Sequence, residues 1–439
     1  MKAMIMAGGK GTRIASITND EIPKPMLKVG GKPILEHQVE CLKRNGIVDI
    51  VIGIGHLGSI VSDYFGDGSK WGVNITYIIE SEEDPLGTAG SLYYLKGKVD
   101  DDFIVVFGDV YFNVDLLRMM DFHKKHSATI TLLTHPNSHP FDSDLLVVDD
   151  EDRVTGFDSK ENDRSSYDYN NIVNSGIYVL SSKVLDIITE PVKISIEKDV
   201  ISQFIDGGKV YSYHSTEYVK DMGTPERYRA VNNDYENGIP EARNLENKQK
   251  CIFLDRDGTI NEYRGIIDNK DDLVLMDGTA EAIRRINESE YLCIVITNQP
   301  VVARGECTID ELDEIHKHLE TLLGREGAYI DGLYYCPHHP DSGYKGEIKE
   351  LKIVCDCRKP KIGLVEKAEN DYNIDLKKSM MIGDSSLDIK MAENAGMKGI
   401  LLKTGVAGLD GKYEINPDMI EKDLLSAVEK ILKSERKHE

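Results

Sequence analysis

Short apolar runs alternate with stretches of helical periodicity along most of the chain. Lys2 to Ala7 reads as a strand. From Pro33 to Asn45 the apolar residues Ile34, Leu35, Val39 and Leu42 recur at helical spacing, and Gly46 sits where a helix stops. Asp49 to Ile54 predicts the next strand, Leu57 to Phe65 a helix, Asn74 to Ile79 a strand, and Leu86 to Gly90 the opening of another helix. Phe103 to Phe107 is a strand that runs into Gly108-Asp109, and a helix after Thr224-Pro225, through Arg229 to Tyr235, closes this half. The second half opens on the apolar run Cys251 to Leu254 and repeats the pattern at Ile294 to Gln299 and at Met380 to Asp388. Such alternation predicts an α/β protein with two doubly wound, mostly parallel sheets.

The polar stretch 236–249, with Gly238 and Pro240, reads as a linker between domains 1–235 and 250–439. Lys433 to Glu439 reads as a frayed charged tail. At 439 residues the chain has room for two or three domains. A formal charge of −23 argues against nucleic acid or an anionic membrane as partner, while small anionic substrates stay open where local cations offset the field. No apolar run approaches a membrane span, and the first one is too short for a signal peptide. Seven cysteines spread through a chain of this size do not form a disulfide framework, so a reduced, cytoplasmic setting fits. A homo-oligomer is compatible with the sequence.

The densest chemistry lies at Asp255-Arg256-Asp257-Gly258-Thr259. Two carboxylates two residues apart at a strand end point to the same side and repel unless a hard divalent cation such as Mg²⁺ neutralises them. Asp255 needs no deprotonation to act as a nucleophile toward phosphorus, and Asp257 is placed to protonate a leaving oxygen and then activate water. The alternative is a solvated acidic turn. Three later stretches weigh against it: Thr297 and Asn298 offer hydrogen bonds to phosphate oxygens, Lys359 offers a point charge, and Asp384 ends a third strand as a further metal ligand. In this order, across nearly all of residues 250 to 405, the stretches resemble the motifs of the haloacid dehalogenase superfamily of phosphatases. The resemblance implies an aspartyl-phosphate formed on Asp255, with Mg²⁺ held by Asp255, Asp257 and Asp384.

In the first half, Gly8, Gly9 and Gly11 let backbone amides approach a polyphosphate, with Lys10 and Arg13 adding charge and Thr12 a hydroxyl. The spacing is not that of a Walker loop, and a plain tight turn is the rival reading. Pro23-Lys24-Pro25 fixes a lysine in a stiff extended segment, an unusual setting for an idle one. Together with Gly87, Thr88 and Gly90, Gly108-Asp109, Asn174-Ser175-Gly176 and Asp221-Met222-Gly223-Thr224-Pro225, these motifs resemble the sugar-1-phosphate nucleotidylyltransferases over about residues 1 to 235. The resemblance implies a Rossmann-like fold in which Gly8 to Arg13 hold a triphosphate, Leu86 to Gly90 lie at the base, and Asn174 and Gly176 meet the sugar. Asp109 and Asp221 would hold Mg²⁺ at the α-phosphate, and catalysis would be charge neutralisation by Arg13, Lys24, Lys160 and the metal. Phe157-Asp158-Ser159-Lys160 departs from the family's Phe-x-Glu-Lys, with Asp158 as the substitute acid.

Cys336-x-His338 and Cys355-x-Cys357 are the soft tetrahedral set that zinc prefers, with His339 a rival to His338. Cys41, Cys251, Cys293 and Cys307 read as small buried hydrophobes. The loop, with Gln299 to Gly305, resembles the capless heptose bisphosphate phosphatases and the related histidinol-phosphate phosphatases. That resemblance implies a structural Zn²⁺ beside Arg358 and Lys359, with Arg304 and Arg358 for a distal phosphate or sugar. Fused to a nucleotidylyltransferase, it implies removal of the C7 phosphate of D-glycero-D-manno-heptose 1,7-bisphosphate, then transfer of GMP from GTP to heptose 1-phosphate. Two rivals remain: a histidinol-phosphate-type phosphatase joined to a transferase for mannose or glucose 1-phosphate, and a phosphatase governed by a non-catalytic nucleotide-sensing domain.

Overall fold

A computed structural model describes residues 1–435, and the chain within them forms two compact units. The first comprises Met1–His135, Asp144–Ser159 and Ile172–Asn244; the second comprises Pro136–Ser143, Lys160–Asn171 and the chain from Leu245 onward. No helix among the described residues is long and apolar enough to cross a membrane. A last helix, Leu424–Glu435, covers the start of the stretch read as a frayed tail, and residues 436–439 lie outside the described residues.

The first unit is built on a nine-stranded sheet. Its centre is parallel, in the order Phe103–Phe107, Lys2–Ala7, Asp49–Ile54 and Asn74–Ile79, and Val173–Leu180 joins antiparallel beside Phe103–Phe107. The parallel strands read as unbroken apolar runs because both faces are covered. Alternate side chains feed two separate cores: Ile5, Ile104 and Val106 enter one, with Leu35, Val39 and Leu42 of the helix Ile34–Arg44. Met4, Phe103 and Val105 enter the other. One expected helix is shorter and tighter than its pattern suggested. After Leu86 to Gly90 the chain forms a six-residue 3₁₀ turn, Gly90–Leu95, cut off by the left-handed Gly97.

The second unit holds a six-stranded, wholly parallel sheet. Its order is Gly332–Cys336, Tyr291–Asn298, Lys250–Leu254, Met380–Gly383, Lys398–Leu402 and Met419–Glu421. Ile252 and Leu254 face one core while Cys251 and Phe253 face the other. Cys41, Cys251, Cys293 and Cys307 are all buried and unbridged. The early segments also bind here: Tyr169 N donates to Thr321 Oγ1 at 2.8 Å, Asn171 N to Glu320 Oε2 at 2.7 Å, and the Asp168 carboxylate lies 2.7 Å from Lys270 Nζ and 2.9 Å from His318 Nδ1. Three residues of the helix Ile309–Arg325, His318, Glu320 and Thr321, are thereby engaged. The stretch 236–249 is divided between the units. Asn113 Nδ2 donates to Pro240 O in the first, and Asn373 Nδ2 to Leu245 O in the second.

Candidate active sites

In the first unit the central strand Lys2–Ala7 delivers Gly8 to Gly11 to the carboxyl end of the parallel strands, and Gly11 turns the chain at φ +62° into the 3₁₀ turn Thr12–Ile14. A Cβ at Gly11 would come 3.2 Å from Lys24 Cβ, so this loop lies on the lysine. Lys24 is only 7% exposed, and its Nζ is 2.5 Å from Asp109 Oδ2. An ammonium so buried requires a counter-charge, and Asp109 supplies it. Asp221, distant in sequence, arrives through a two-stranded ribbon in which Tyr218–Asp221 runs antiparallel to Val110–Asn113, with Asp221 opposite Val110. Met222 N then donates to Asp109 O at 3.0 Å. Asp221 accepts from Arg227 Nη1 and from Gly223 N, each at 3.0 Å, and a Cβ on Gly223 would lie 3.2 Å from Arg13 Nη2. Arg13, Lys24, Asp109 and Asp221 therefore meet.

The glycines of the Leu86 to Gly90 loop have a local cause as well. A Cβ at Gly87 would sit 2.5 Å from Ile194 O, and one at Gly90 2.1 Å from Val192 O. Thr88 N and Ala89 N both donate to Ile194 O, while Thr88 Oγ1 accepts from Ile196 N. Those groups are engaged inside the protein. Beneath the loop stands Glu80, 8% exposed, whose Oε2 accepts from Leu86 N at 3.3 Å and whose carboxylate would lie 3.2 Å from a Cβ on Gly8. Burial raises its carboxyl above the usual range. Asn174 donates to Tyr178 Oη at 2.9 Å and to Glu197 Oε1 at 3.3 Å, and Gly176 makes room for the Phe107 ring. Glu80 and Glu197 escaped the sequence reading because no glycine or proline marks them. Lys160 is exposed and belongs to the second unit.

The second unit gathers its site at adjacent parallel strand ends, where α/β folds leave a crevice. Lys359, with a side chain 2% exposed, is the hub: its Nζ lies 2.7 Å from Asp255 Oδ1 and 2.6 Å from Asp388 Oδ1, and donates to Ile296 O at 3.0 Å. All three ammonium protons are thus placed. Asn298 holds the Lys359 backbone on both sides, accepting from its N at 3.0 Å and donating to its carbonyl at 3.3 Å. Thr297 Oγ1 accepts from Gln299 Nε2 at 2.9 Å.

Asp384 approaches because two glycines let it. A Cβ on Gly258, at φ +84°, would come 2.4 Å from Asp384 Oδ2, and one on Gly405 1.9 Å. Asp255, Asp384 and Asp388 offer ligand atoms within 4.8 Å of one another, a hard oxygen set that suits Mg²⁺. Asp257 is not among them. Its carboxylate, expected as a ligand, accepts instead from Arg256 Nη2 at 2.9 Å, Gln299 Nε2 at 2.9 Å and Asn261 Nδ2 at 3.0 Å. Burial alone would raise its pKa, but the Arg256 guanidinium and these donors hold it below the usual carboxylate range. Arg256 is fully buried and also donates to His316 Nε2 at 3.2 Å, a ring that burial keeps neutral. Asp388 and Arg256, both inside the quoted stretches but given no role there, complete the site. The capping box that Asp388 forms with Ser385 is the sequence signal that marks its position.

Cys336, His338, Cys355 and Cys357 also converge within 4.8 Å. Cys357 Sγ lies 3.2 Å from both Cys336 Sγ and Cys355 Sγ, and His338 Nδ1 lies 3.2 Å from Cys357 Sγ. His339 turns elsewhere, its Nε2 3.4 Å from Arg304 Nη2 and its Nδ1 accepting from Asp341 N. Arg358 Nη1 donates to His338 O at 3.1 Å, which ties the cluster to Lys359 through one peptide.

Three carboxylates around one ammonium give a pH dependence. Burial and Asp388 push Asp255 up to about 8 against the pull of Lys359, and burial and Asp388 push Asp384 up to about 7. Both groups therefore hold protons in the folded chain that the unfolded chain, near 3.9, has released. Metal-free stability should accordingly fall between about pH 4 and pH 8. In EDTA the thermal midpoint is expected to drop over that window, Mg²⁺ should recover more of it at pH 8 than at pH 5, and Asp384→Asn should flatten the slope. A metal-free midpoint that rises with pH, or a slope untouched by Asp384→Asn, would contradict this cluster.

Comparison with known proteins gives these sites a lineage. A nucleotidyl transferase family model matches residues 2–238, and a HAD-hydrolase-like model matches residues 356–427. The mannose-1-phosphate guanylyltransferase of Mycobacterium tuberculosis is 35% identical over 54% of this chain, which spans 65% of that protein's length. The D-glycero-D-manno-heptose-1,7-bisphosphate 7-phosphatase of Thermosynechococcus vestitus is 38% identical over 41% of this chain and 93% of its own. Among solved structures, HddC from Yersinia pseudotuberculosis, complexed with GMP-PN, is 27% identical over 53% of this chain and 99% of its own, with a TM-score of 0.46. The chain is thus a bifunctional enzyme that belongs to the nucleotidyl transferase family through its first half and to the HAD-type heptose bisphosphate phosphatases through its second.

Proposed function

We propose that the enzyme hydrolyses the C7 phosphate of D-glycero-D-manno-heptose 1,7-bisphosphate and transfers GMP from GTP to the resulting heptose 1-phosphate, giving GDP-heptose and pyrophosphate. The observation that carries the first step is the single ammonium of Lys359 held between Asp255 and Asp388. Asp255 attacks phosphorus and forms an aspartyl-phosphate, while Lys359 balances the charge that accumulates. Asp257, fixed by Arg256, Gln299 and Asn261, takes up a proton when the substrate binds, gives it to the leaving oxygen, and as the carboxylate then takes one from the hydrolytic water. The carboxylate form that Arg256 favours is the one the second step needs. Asp255, Asp384 and Asp388 would hold Mg²⁺, which neutralises phosphate charge when bound. Cys336, His338, Cys355 and Cys357 would hold a structural Zn²⁺, their thiolate and imidazole donors matching that ion.

In the first unit the sugar phosphate oxygen attacks the α-phosphorus of the nucleotide. Arg13 and Lys24 neutralise the approaching anions, with Gly8, Gly9, Gly11 and Thr12 along the triphosphate and Asn174 and Gly176 toward the sugar phosphate. Asp109 and Asp221 would hold Mg²⁺ there, each also paired with a cation of the protein. Glu80 supports guanine. An ionised carboxylate is acceptor-only, and a guanine edge presents N1–H and N2–H₂ donors to it. The order of steps follows from the chemistry: removing the C7 phosphate leaves the anomeric phosphate that the transferase requires. The named relatives support the heptose reading for the phosphatase; the guanylyltransferase relative favours a second reading for the transferase, with mannose 1-phosphate as acceptor.

Phosphorus NMR of the enzyme with heptose 1,7-bisphosphate, GTP and Mg²⁺ should show GDP-heptose and pyrophosphate, and heptose 1-phosphate alone when GTP is omitted. Asp255→Asn should stop the first step and leave transfer from supplied heptose 1-phosphate intact, with Asp109→Ala as its mirror. Heptose 7-phosphate, or faster transfer to mannose 1-phosphate, would reject the pathway. Purified protein should carry about one zinc per chain, measured by atomic absorption, and Cys355→Ser should lose it. Glu80→Gln should lower kcat/KM for GTP by roughly a hundredfold and raise the relative use of UTP, whose N3–H and O4 match an amide. An unchanged GTP-to-UTP ratio would remove Glu80 from base selection.

A further inference from the structure

The helix Ile309–Arg325 opens on a capping box, in which Thr308 Oγ1 accepts from Glu311 N and Glu311 Oε2 from Thr308 N, and it buries Leu312, Ile315, His316, Leu319 and Leu323 along one stripe. A histidine thus holds one of the apolar positions. His316 is 6% exposed, and its ring lies 5.2 Å from that of Tyr335 on the strand Gly332–Cys336. The polar contact that accounts for a buried imidazole is with Arg256, whose Nη1 donates to His316 Nε2 at 3.2 Å. A guanidinium has no acceptor, so Nε2 carries the lone pair and the neutral ring keeps its proton on Nδ1.

Arg256 grips Asp257 with one edge: Nε lies 3.1 Å from Oδ1, and Nη2 lies 2.9 Å from both carboxylate oxygens. Gln299 and Asn261 hold the pair from the Asp257 side, and His316 holds it from the opposite corner, Nη1. Losing that acceptor leaves a donor of a buried cation unanswered, a penalty Arg256 relieves only by shifting, and Asp257 shifts with it. The helix is in turn fixed just beyond His316 by the segment Lys160–Asn171, which folds with this unit. Thr321 Oγ1 accepts from Tyr169 N at 2.8 Å and donates to Tyr169 O at 3.1 Å, while Asp168, its side chain 8% exposed, lies 2.9 Å from His318 Nδ1 and 2.7 Å from Lys270 Nζ. A Cβ on Gly324 would come 3.0 Å from Tyr169 Oη, so the smallest residue lets the segment lie against the helix.

We propose that His316 is a positioning residue of the phosphatase reaction: it anchors the far corner of Arg256 so that Asp257 faces the leaving oxygen, and Lys160–Asn171 fixes the helix that carries it. The proposal rests on Asp257 as the acid of the reading above, but not on the identity of the sugar. As the bond from Asp255 to phosphorus forms and the ester P–O bond breaks, the departing oxygen takes the proton of Asp257; p-nitrophenolate leaves without one, whereas phenolate, and still more a sugar alkoxide, needs it. The test is kcat/KM of the Mg²⁺- and zinc-loaded enzyme on phenyl and p-nitrophenyl phosphates, which reports the steps up to the phosphoenzyme. A group that only supports the fold lowers both esters by one factor. His316→Phe is expected to lower the phenyl-to-p-nitrophenyl ratio about tenfold, and Asp168→Ala roughly threefold, with Asp257→Asn giving the full loss. His316→Gln, whose amide oxygen accepts from Arg256, should recover most of it. A ratio unchanged in His316→Phe but lowered in Asp257→Asn overturns the proposal alone, whereas a ratio unchanged in Asp257→Asn overturns the acid assignment and this proposal with it. A ratio unchanged in Asp168→Ala overturns the role of Lys160–Asn171. If His316→Phe does not fold, Asp168→Ala decides for the whole: a lowered ratio supports the arrangement, and an unchanged one overturns it. Cleavage of heptose 1,7-bisphosphate by the wild type tests the sugar assignment separately.

Discussion

The phosphatase half depends on one buried ammonium. Lys359 sits where three carboxylates would otherwise face each other, and its three protons are divided between Asp255, Asp388 and the end of a neighbouring strand. Removing one partner from such a buried pair leaves an uncompensated charge, a loss of about 3–5 kcal/mol. The surroundings are arranged to keep that lysine in place: Asn298 clasps its backbone, and Arg358, the residue before it, donates to the carbonyl of His338. Asp255, its counter-ion Lys359 and the cysteine-rich loop are therefore one mechanical assembly.

The first unit solves the same electrostatic problem with a different part. There Lys24, stiffened by flanking prolines, meets Asp109 at the end of a central strand, while a separate ribbon brings Asp221 to it. In both units a lysine from outside the strand neutralises an acid at the strand's end. Such pairing lets negatively charged groups stay close before any anionic substrate or metal arrives.

Elements whose hydrophobic pattern is continuous were legible in the sequence. The strands Lys2–Ala7, Asp49–Ile54, Phe103–Phe107 and Lys250–Leu254 are apolar on both faces, and no other element fits such runs next to glycine and helical spacing. The convergence of Cys336, His338, Cys355 and Cys357 was legible from donor chemistry, and the structure separates His338 from His339 by where their rings turn. What the sequence does not disclose is direction. Asp255 and Asp257 leave the same strand end, yet the buried guanidinium of Arg256 draws Asp257 away from the cluster, and Asp388 takes the third place. Glu80 was equally hidden, because a lone glutamate after a strand looks like a surface residue until its burial is known.

The chain passes between its two compact units at five places, after residues 135, 143, 159, 171 and 244. The segments Pro136–Ser143 and Lys160–Asn171 are spelled within the transferase half yet fold with the phosphatase half, where Asp168, Tyr169 and Asn171 are tied to the helix Ile309–Arg325. No single cut can therefore release both units with all their residues. A gene fission at the apparent boundary would strand two pieces of the phosphatase on the wrong polypeptide, so the two units are bound to be inherited and expressed as one chain.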